Sequence, residues 1–388
     1  MDNSIRYTLL SVIRPSRCFG LFPFNLTEKS VVLSIPLTVC AIIIHLLMIL
    51  ASILSIFIPS REAEVNAIYE ALINTQIAAL QSALIAHLIW LLLCRRKIEE
   101  VFQILFNLEA IQPLKKKIAF KYPRMFYIVL ILVYLASFAI KVVSLYSDVF
   151  DFVSITTFYL LPGLLFTSIF QFTGLLSICR NFFRALTMDI KTPSYLAENI
   201  ENSIDTFEQL VSCCETINYC FGPLLLIALI SLFVIMTSCF YICYLVWEAK
   251  IAVLMCGFWA CFFLNTARYM AHSCWKTVIT ANQFYTVLYK VIIKDRSIAD
   301  DHYYKFLLDF VNKRELKFTA FGYFSIDYGM ISSMVGTSAT YLIILIQFSK
   351  EEEKIHHDED WFFDSEQNAN STTEVYTESS TEFNYTLY

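Results

Sequence analysis

The seventh and last long apolar segment of the sequence ends in Thr340-Tyr341-Leu342-Ile343-Ile344-Leu345-Ile346-Gln347-Phe348. The segment is long enough to cross a lipid bilayer, but its small and weakly polar residues fall on one stripe of the helix that it predicts. Such a helix is not expected to face lipid on all sides, so the stripe should face other helices or water. We refer to the following residues as the stripe: Gly329, Ser333, Gly336, Thr340, Ile344 and Gln347.

The composition is typical of a membrane protein. Of the 388 residues, 57% are hydrophobic and only 16% are charged, whereas about a quarter of the residues are charged in soluble proteins. Eight glycines and nine prolines leave little sequence for loops, so long helices should dominate. The net charge of −5 averages the two sides of a membrane and does not indicate a nucleic-acid partner, and none is expected.

The cysteines and the other reactive side chains do not form a recognisable site in the sequence. The twelve cysteines are scattered and show no CxxC pairing, so neither a disulfide framework nor a zinc site is expected. Cys243 and Cys256, near one predicted membrane face, are the one pair worth testing. The sequence contains no nucleophile–base pair, phosphate-binding loop or metal-ligand spacing. We therefore expect no enzyme, no cofactor and no metal.

Seven apolar runs are long enough to span a membrane, since about 20 residues cross the hydrocarbon. The first run is too long, and starts too far into the chain, to be a signal peptide. The predicted fold is an all-α membrane protein with seven transmembrane helices. The runs cover residues 31–58, 67–94, 125–146, 152–179, 219–247, 251–271 and 324–348.

The distribution of Lys and Arg predicts the orientation of the chain. All but five of these 29 residues lie on the predicted side of the N-terminus, and positive charge collects in the cytoplasm. We therefore expect the N-terminus inside the cell and the C-terminus outside. The acidic, Ser/Thr-rich residues 349–388 agree, because their glycosylation acceptors Asn370 and Asn384 are used only on the lumenal side. This tail is expected to be disordered.

The connections on the cytoplasmic side are long and have helical periodicity. The sixth span continues as a predicted helix to Ile292, and a further periodic stretch covers residues 303–318. A bundle of cytoplasmic anchor helices is therefore expected. An apolar seam before the fifth span has the 4-3-4-3 spacing of a coiled coil, which serves either packing within the chain or contact between subunits. The seam consists of Ile200, Ile204, Phe207, Val211 and Cys214.

Two other classes of membrane protein fit the sequence less well. G-protein-coupled receptors have the opposite orientation, and neither their Asp-Arg-Tyr nor their Asn-Pro-x-x-Tyr motif stands in the corresponding span. Transporters place ionisable groups near the membrane midplane, whereas Glu70, Lys141 and Asp327 lie near the ends of their spans. His45 and His87 lie deeper, and we expect each of them to hydrogen-bond a neighbour.

The pattern of Thr340-Tyr341, five apolar residues and Gln347-Phe348 resembles the signature that closes insect gustatory receptors, within the insect chemosensory receptor superfamily. Phe318-Thr319-Ala320 and Phe324-Ser325-Ile326-Asp327 are similar to that family's approach to its last helix. The inverted topology and the long inner loops extend the resemblance over most of the chain. The resemblance implies a ligand-gated, non-selective cation channel, assembled as a homotetramer whose seventh helices line one pore.

The resemblance also implies which residues form the pore. Gln347 and Phe348 would lie at its narrow outer mouth, and Ile344 would belong to the same constriction. Rings of Phe348 and Ile344 can gate by dewetting, and a ring of Gln347 amides can replace part of an ion's hydration shell. Thr340 and Tyr341 complete the implied pore site. The alternative is that the small residues of the stripe serve close packing between helices.

One position bears on the kind of receptor. Leu342 stands where sweet-sensing members of the family commonly have Glu after Thr-Tyr. A bitter-type receptor is the favoured interpretation, with a fructose-type sugar-gated channel as the alternative. An odorant-receptor-like subunit that needs a co-receptor is a further alternative, followed by a non-channel scaffold or transporter. The implied location is the plasma membrane of sensory neurons, as a multi-pass protein.

In the family the ligand pocket opens to the outside, in the outer half of the bundle. Aromatic faces with a few hydroxyl and amide groups suit a small amphipathic ligand, but Tyr and Trp also collect at membrane interfaces. The implied partners are a small-molecule tastant, permeating monovalent and divalent cations, membrane lipid, and further copies of the chain or related receptors in a hetero-oligomer. The candidate pocket residues are Tyr69, Asn74, Phe138, Thr156, Thr157, Tyr159, Tyr241, Tyr244, Trp247 and Trp259.

The chain is accordingly divided into five expected regions. They are a cytoplasmic N-terminal segment (1–30), a six-helix transmembrane bundle with the ligand pocket (31–271), cytoplasmic anchor helices (272–323), a pore-lining seventh helix (324–348) and an acidic extracellular tail (349–388).

Overall fold

The computed structural model describes residues 4–27, 30–57, 67–111, 149–190, 197–245, 247, 250–294 and 315–350, and most of them are helical. The helices are α1 (Ser4–Cys18), α2 (Ile35–Phe57), α3 (Ala67–Leu93), α4 (Arg95–Ile111), α5 (Val149–Asp189), α6 (Ala197–Leu245), α7 (Lys250–Lys294) and α8 (Tyr328–Lys350). Two antiparallel hairpins pair β1 (Phe24–Leu26) with β2 (Val31–Leu33) and β3 (Thr319–Ala320) with β4 (Phe324–Ser325).

Three of these helices are much longer than a membrane crossing requires. α5, α6 and α7 contain 41, 49 and 45 residues, which corresponds to about 60–75 Å, whereas the hydrocarbon core is about 30 Å thick. α7 runs unbroken from the predicted sixth span to Lys294, so the prediction that the helix of this span continues to Ile292 is confirmed. α6 likewise joins the predicted seam to the fifth span in one helix.

The apolar helices agree with most of the predicted spans. The predicted third span, 125–146, lies outside the described residues. The predicted sixth span, 251–271, is helical within α7. Five stretches within the described residues are long and apolar enough to cross a membrane: Ile35–Leu54, Asn74–Leu93, Leu160–Asp189, Asn202–Leu245 and Tyr328–Lys350.

The long helices pack against one another, and α3 lies along α6. At their predicted cytoplasmic ends, Phe207 of α6 stacks on Phe284 of α7, with 4.4 Å between the ring centroids and 11° between the planes. Phe207, Val211 and Cys214 are buried by other helices of the same chain. At these three positions the predicted seam therefore serves packing within the chain.

The two membrane histidines are both buried, but only one has the expected hydrogen bond. His45 Nδ1 lies 2.8 Å from the carbonyl oxygen of Ala41, one turn earlier in α2. His87 instead packs on Phe221, with 5.4 Å between the ring centroids. Neither ring nitrogen of His87 has a hydrogen-bond partner among the described residues. The expectation was therefore wrong for His87, whose ring is held by an aromatic contact.

All twelve cysteines lie in the described part of the chain and are free thiols. The Cys243 thiol, near the end of α6, lies 3.8 Å from the carbonyl oxygen of Val253 in α7, and the Cys256 thiol of α7 is close to it. The pair that the sequence picks out is therefore a pair of neighbours at the α6–α7 connection, in the thiol form.

Candidate functional site

The helix α8 has one face against its own bundle and one face away from it. Met330, Ile331 and Met334 pack against the hydrophobic core, and Ser338 and Ser349 on the same side are buried. All six residues of the stripe are exposed. At 100° per residue, the stripe lies about half a turn around the helix from the packed face. The side of α8 with the small and polar residues is therefore the side that its own chain leaves uncovered.

A short hairpin sets the start of α8. The strands β3 and β4 are joined by a turn in which Phe321 and Gly322 both have positive φ, at 51° and 84°. Asp327 then caps the helix, because its Oδ1 accepts the N–H of Met330 at 3.0 Å and its Oδ2 accepts the hydroxyl of Ser325 at 2.8 Å. These hydrogen bonds, the Met330 N–H first, hold the pKa of Asp327 below its ordinary value.

The tip of this hairpin is anchored on α3 and α6. The Phe321 ring meets the Trp90 ring edge-on, with 5.4 Å between centroids, and Trp90 Nε1 donates to the carbonyl oxygen of Tyr219 at 3.0 Å. Gly222 leaves room for this contact, because a Cβ added there would lie 2.9 Å from Phe321 Cδ2. A side chain at position 222 would therefore push the hairpin away from α6.

A second contact fixes the first residue of α8 to α7. The hydroxyl of Tyr328 and Nδ1 of His272 are hydrogen-bonded at 2.5 Å. The Trp275 ring, one turn after His272, meets the Tyr328 ring edge-on at 5.7 Å. The base of α8 is thus linked to three helices of the bundle, although most of its length is exposed.

The five predicted pore residues do not all lie on the same face of α8. Thr340, Ile344 and Gln347 lie on the exposed stripe. Phe348 is 58% exposed but lies about 100° around the helix from Gln347, since consecutive residues differ by that angle. Tyr341 faces the bundle, where its ring meets Phe233 of α6 edge-on at 5.8 Å.

Two threonine hydroxyls on the exposed side of α8 are turned toward their own helix. Thr340 Oγ1 donates to the carbonyl oxygen of Gly336 at 3.2 Å, and Thr337 Oγ1 donates to that of Ser333 at 2.8 Å. Because the hydroxyl hydrogens are used within the helix, the oxygen lone pairs remain available to other groups. The exposed side of α8 therefore presents hydrogen-bond acceptors.

The predicted pocket residues are not brought together as one set. Tyr241 and Trp259 are buried, Asn74 is half-buried, and Tyr244 and Trp247 are exposed, Trp247 to 74%. Tyr244 and Trp247 therefore fit the membrane-interface alternative better than a pocket wall. Tyr69, Thr156, Thr157 and Tyr159 lie in α3 and α5 without a description of their side chains, and Phe138, Asn370 and Asn384 lie outside the described residues.

An aromatic cluster between α5 and α7 surrounds Trp259. Phe166 of α5 lies edge-on to Phe262 at 4.4 Å and stacks on Phe263 at 5.8 Å. The Trp259 ring contacts both of these α7 rings, at 5.7 and 5.6 Å. Sequence reasoning selected Trp259 and missed the three phenylalanines, although two of them follow it closely in the same apolar run.

Sequence reasoning also missed the anchor of the hairpin, which consists of Trp90, Tyr219, Gly222 and Phe321. The available signals were the Phe321-Gly322 pair between two recognisable segments and a glycine within an apolar run. Neither signal identifies the partner, because Trp90 and Tyr219 are 129 positions apart in sequence.

Three kinds of comparison with known proteins cover different shares of the chain. Residues 9–352 match the model of the family described as 7tm chemosensory receptor. A stretch of 101 residues is 34% identical to the gustatory and pheromone receptor 32a of Drosophila melanogaster. That alignment covers 25% of this chain and 21% of the receptor, so the chain matches about a fifth of that relative's length.

The fold is similar to that of the insect olfactory receptor OR5 from Machilis hrabei. The two structures superpose with a TM-score of 0.69 at 14% identity, covering 89% of this chain and 100% of OR5. The structure of OR5 in complex with eugenol superposes with a TM-score of 0.65 over the same share of each chain. At this identity the likeness concerns the fold.

Proposed function

The chain belongs to the 7tm chemosensory receptor family, whose members are membrane receptors rather than enzymes, and on this basis we propose that it is a ligand-gated cation channel opened by a small-molecule tastant. The observation that carries the proposal is the position of the stripe on the uncovered side of α8. Four copies of the chain would bring four stripes around a central axis and form a non-selective pore for monovalent and divalent cations.

The length and chemistry of α8 support this assembly. Tyr328 and Gln347 are 19 residues apart, about 29 Å along a helix, which matches the hydrocarbon thickness. Small residues and threonine oxygens on the uncovered side give the helix an acceptor-lined path that lipid tails cannot satisfy. If this side of α8 lines a pore, water and ions in the pore can bind these acceptor groups.

The outer end of α8 supplies the gate in this proposal. Gln347 points along the stripe, and Phe348 is displaced by about 100°. A rotation of α8 by about a quarter turn would therefore replace the four Gln347 amides at the pore axis with the four Phe348 side chains. The Phe348 and Ile344 rings would close the pore by dewetting, and the Gln347 amides would take part in ion passage.

In this proposal, the hairpin and the His272–Tyr328 hydrogen bond couple ligand binding in the bundle to movement of α8. Both contacts join the base of α8 to α3, α6 and α7. A ligand shifts the closed–open equilibrium only by its preference for one of the two states. A ligand that favours an outward displacement of α6 and α7 would move the base of α8 with them.

We place the ligand in the outer half of the bundle, at Asn74, Tyr241 and Trp259, since these residues are at least half-buried and combine aromatic and amide groups. The structure of OR5 with eugenol is a precedent for a small amphipathic ligand in this fold. Because Leu342 replaces the Glu of sweet-sensing relatives, a bitter-type tastant is favoured over a sugar. The assignment includes a homotetramer in the plasma membrane of sensory neurons, with a cytoplasmic N-terminus and glycans at Asn370 and Asn384.

The test is expression of this chain alone, with whole-cell current and calcium recorded during application of a tastant panel. Gln347→Ala and Phe348→Ala should raise the resting current or change the Na⁺/Ca²⁺ permeability ratio several-fold, about two- to fivefold, because they alter the narrowest ring. Val335→Ala is the matched control, since Val335 is exposed but lies about 140° around the helix from Thr340.

Three results would change the assignment. If neither Gln347→Ala nor Phe348→Ala alters conduction, the pore residues are wrong. If current appears only with a related receptor, the chain is an odorant-type subunit that needs a co-receptor. If saturable flux is found without unitary currents, the chain is a transporter.

A further inference from the structure

Five basic side chains lie close together where α5 and α7 leave the predicted inner side of the membrane. Arg180 and Arg184 are one turn apart on α5, and Arg268, His272 and Lys276 follow at successive turns of α7. We call these five residues the basic face. Residues four positions apart lie on one side of a helix, so each helix contributes a single row of positive charge.

Contacts between α5 and α7 bring the two rows together. The Phe170 ring of α5 stacks on the Tyr269 ring of α7, with 6.2 Å between centroids and 6° between the planes. The Tyr269 hydroxyl also hydrogen-bonds Thr173. Tyr269 is the neighbour of Arg268 on α7, whereas Phe170 and Thr173 lie two to three turns before Arg180 on α5. The Arg180 guanidinium interacts electrostatically with Tyr269 and His272, so it lies beside the row of α7.

The basic face has no negative counterpart within the described residues, where none of its five members forms a salt bridge. Burial lowers the pKa of His272, and the positive charges of Lys276, Arg180 and Arg268 lower it further. Arg180 donates from one Nη to the Ser177 hydroxyl at 2.9 Å, while its Nε is buried without a partner among the described residues. An uncompensated guanidinium at this depth favours an anionic ligand.

The height of the basic face along the membrane normal follows from α8. His272 is bonded to Tyr328, the first residue of α8, and Trp275 packs on the same tyrosine ring. Trp275 and Tyr328 are both exposed, as is typical of aromatic residues at the membrane–water interface. Gln347 lies about 29 Å farther along α8, at the opposite interface. The basic face therefore lies at the level of the lipid headgroups.

We propose that the basic face binds the headgroup of a phosphoinositide that carries more than one phosphate. Anionic lipids of the cytoplasmic leaflet are attracted to basic clusters at this level. Arginine guanidinium groups bind phosphate through paired N–H donors. The four Arg and Lys side chains of the basic face exceed what a headgroup with a single phosphate neutralises. This site does not depend on the channel function proposed above.

The experiment measures lipid binding to the purified full-length chain in detergent micelles, by polarisation of a fluorescent short-chain phosphatidylinositol bisphosphate at near-physiological salt. The test variant is Arg184→Gln/Arg268→Gln, because both side chains are exposed and their loss leaves no buried gap. The matched control is Arg95→Gln/Arg96→Gln, which removes two exposed arginines from the start of α4. Melting of both variants is compared with that of the wild type.

The test variant should bind the lipid about tenfold more weakly, and the control should stay within about twofold of the wild type. Arg184→Lys/Arg268→Lys keeps the charge and should keep most of the affinity, which a purely structural role would not predict. Equal weakening of the test and control variants, or no weakening of the test variant, would overturn the site. Equal competition by the free inositol trisphosphate headgroup would assign the site to a soluble phosphate instead of a lipid.

Discussion

The helices α5 and α8 are both apolar enough to cross a membrane, yet they have opposite surroundings. In the apolar stretch of α5, 89% of the residues are buried, compared with 6% in α8. The polar residues of α5, such as Ser168 and Gln171, are enclosed by the bundle, whereas those of the α8 stripe are exposed. Apolar composition therefore predicts membrane insertion, and the exposed polar side identifies the helix that still needs a partner.

The largest expected effect comes from filling the stripe. Gly336→Leu should reduce ligand-evoked current at least about tenfold, because four added side chains would meet at the pore axis. The single chain should fold normally, since nothing lies within 4 Å of a Cβ added at Gly336. Whole-cell current normalised to surface expression measures the effect. Val335→Leu, on another side of α8, is the control and should conduct. A conducting Gly336→Leu channel would show that the stripe does not line the pore.

The same kind of substitution distinguishes the two helices by stability. Gly174 of α5 faces Val12 of α1, and a Cβ added there would lie 2.7 Å from Val12 Cγ1. Gly174→Ala should therefore destabilise the chain by about 1–3 kcal/mol through overpacking. Gly336→Ala should be neutral or stabilising by up to about 1 kcal/mol, because alanine favours a helix and meets nothing. Thermal unfolding of both variants in detergent measures the difference, and equal melting temperatures would contradict it.

Much of this contrast could be predicted from the sequence, because it depends on local periodicity. The stripe, the seam at Phe207 and the continuation of the sixth span to Ile292 all follow from residues a few positions apart. The family resemblance rested on a short motif of the same kind, and the match over residues 9–352 confirms it. The prediction that the chain is not an enzyme is confirmed by the same family match.

The unpredicted parts depend on contacts between distant residues. No periodic pattern indicates that Phe321 meets Trp90, because the sequence positions of the two rings are unrelated. The candidate pocket residues were likewise chosen without knowledge of their contacts, from their aromatic side chains and their predicted depth in the membrane. Tyr241 proved to be buried within α6, whereas Trp247 lies in a turn after the end of that helix and is exposed.

A smaller effect is expected at the cap that starts α8. Asp327→Ala should destabilise the first turn by about 1 kcal/mol, because the Met330 N–H loses its acceptor. The carboxyl pKa is lower in the folded chain than its ordinary value. The contribution of the cap is therefore complete above that ordinary value and is lost as the pH falls through the folded pKa.

Hydrogen exchange of the Met330 amide measures this effect in the wild type and in Asp327→Ala. The wild type should exchange more slowly at neutral pH, and the two chains should converge in strong acid. Asp327→Asn is the control, since asparagine caps helices without titrating. Protection that is the same in the wild type and Asp327→Ala at neutral pH would exclude the cap as the element that holds the base of α8.

The smallest effect is expected at Gln171 of α5. Its comparison with Gln347 of α8 tests the same side chain in a buried and in an exposed position. The Gln171 amide is fully buried in α5, and neither amide atom has a hydrogen-bond partner among the described residues. Gln171→Leu keeps the volume and removes an unpaired polar group, so the chain should be equally stable or more stable by less than about 1 kcal/mol. The melting temperature in detergent should accordingly stay the same or rise slightly. Gln347→Leu, the matched change on α8, should leave melting unchanged and alter conduction. A marked loss of stability in Gln171→Leu would show that this amide is hydrogen-bonded in the folded receptor. The proposed contrast between α5 and α8 in how their polar groups find partners would then be wrong.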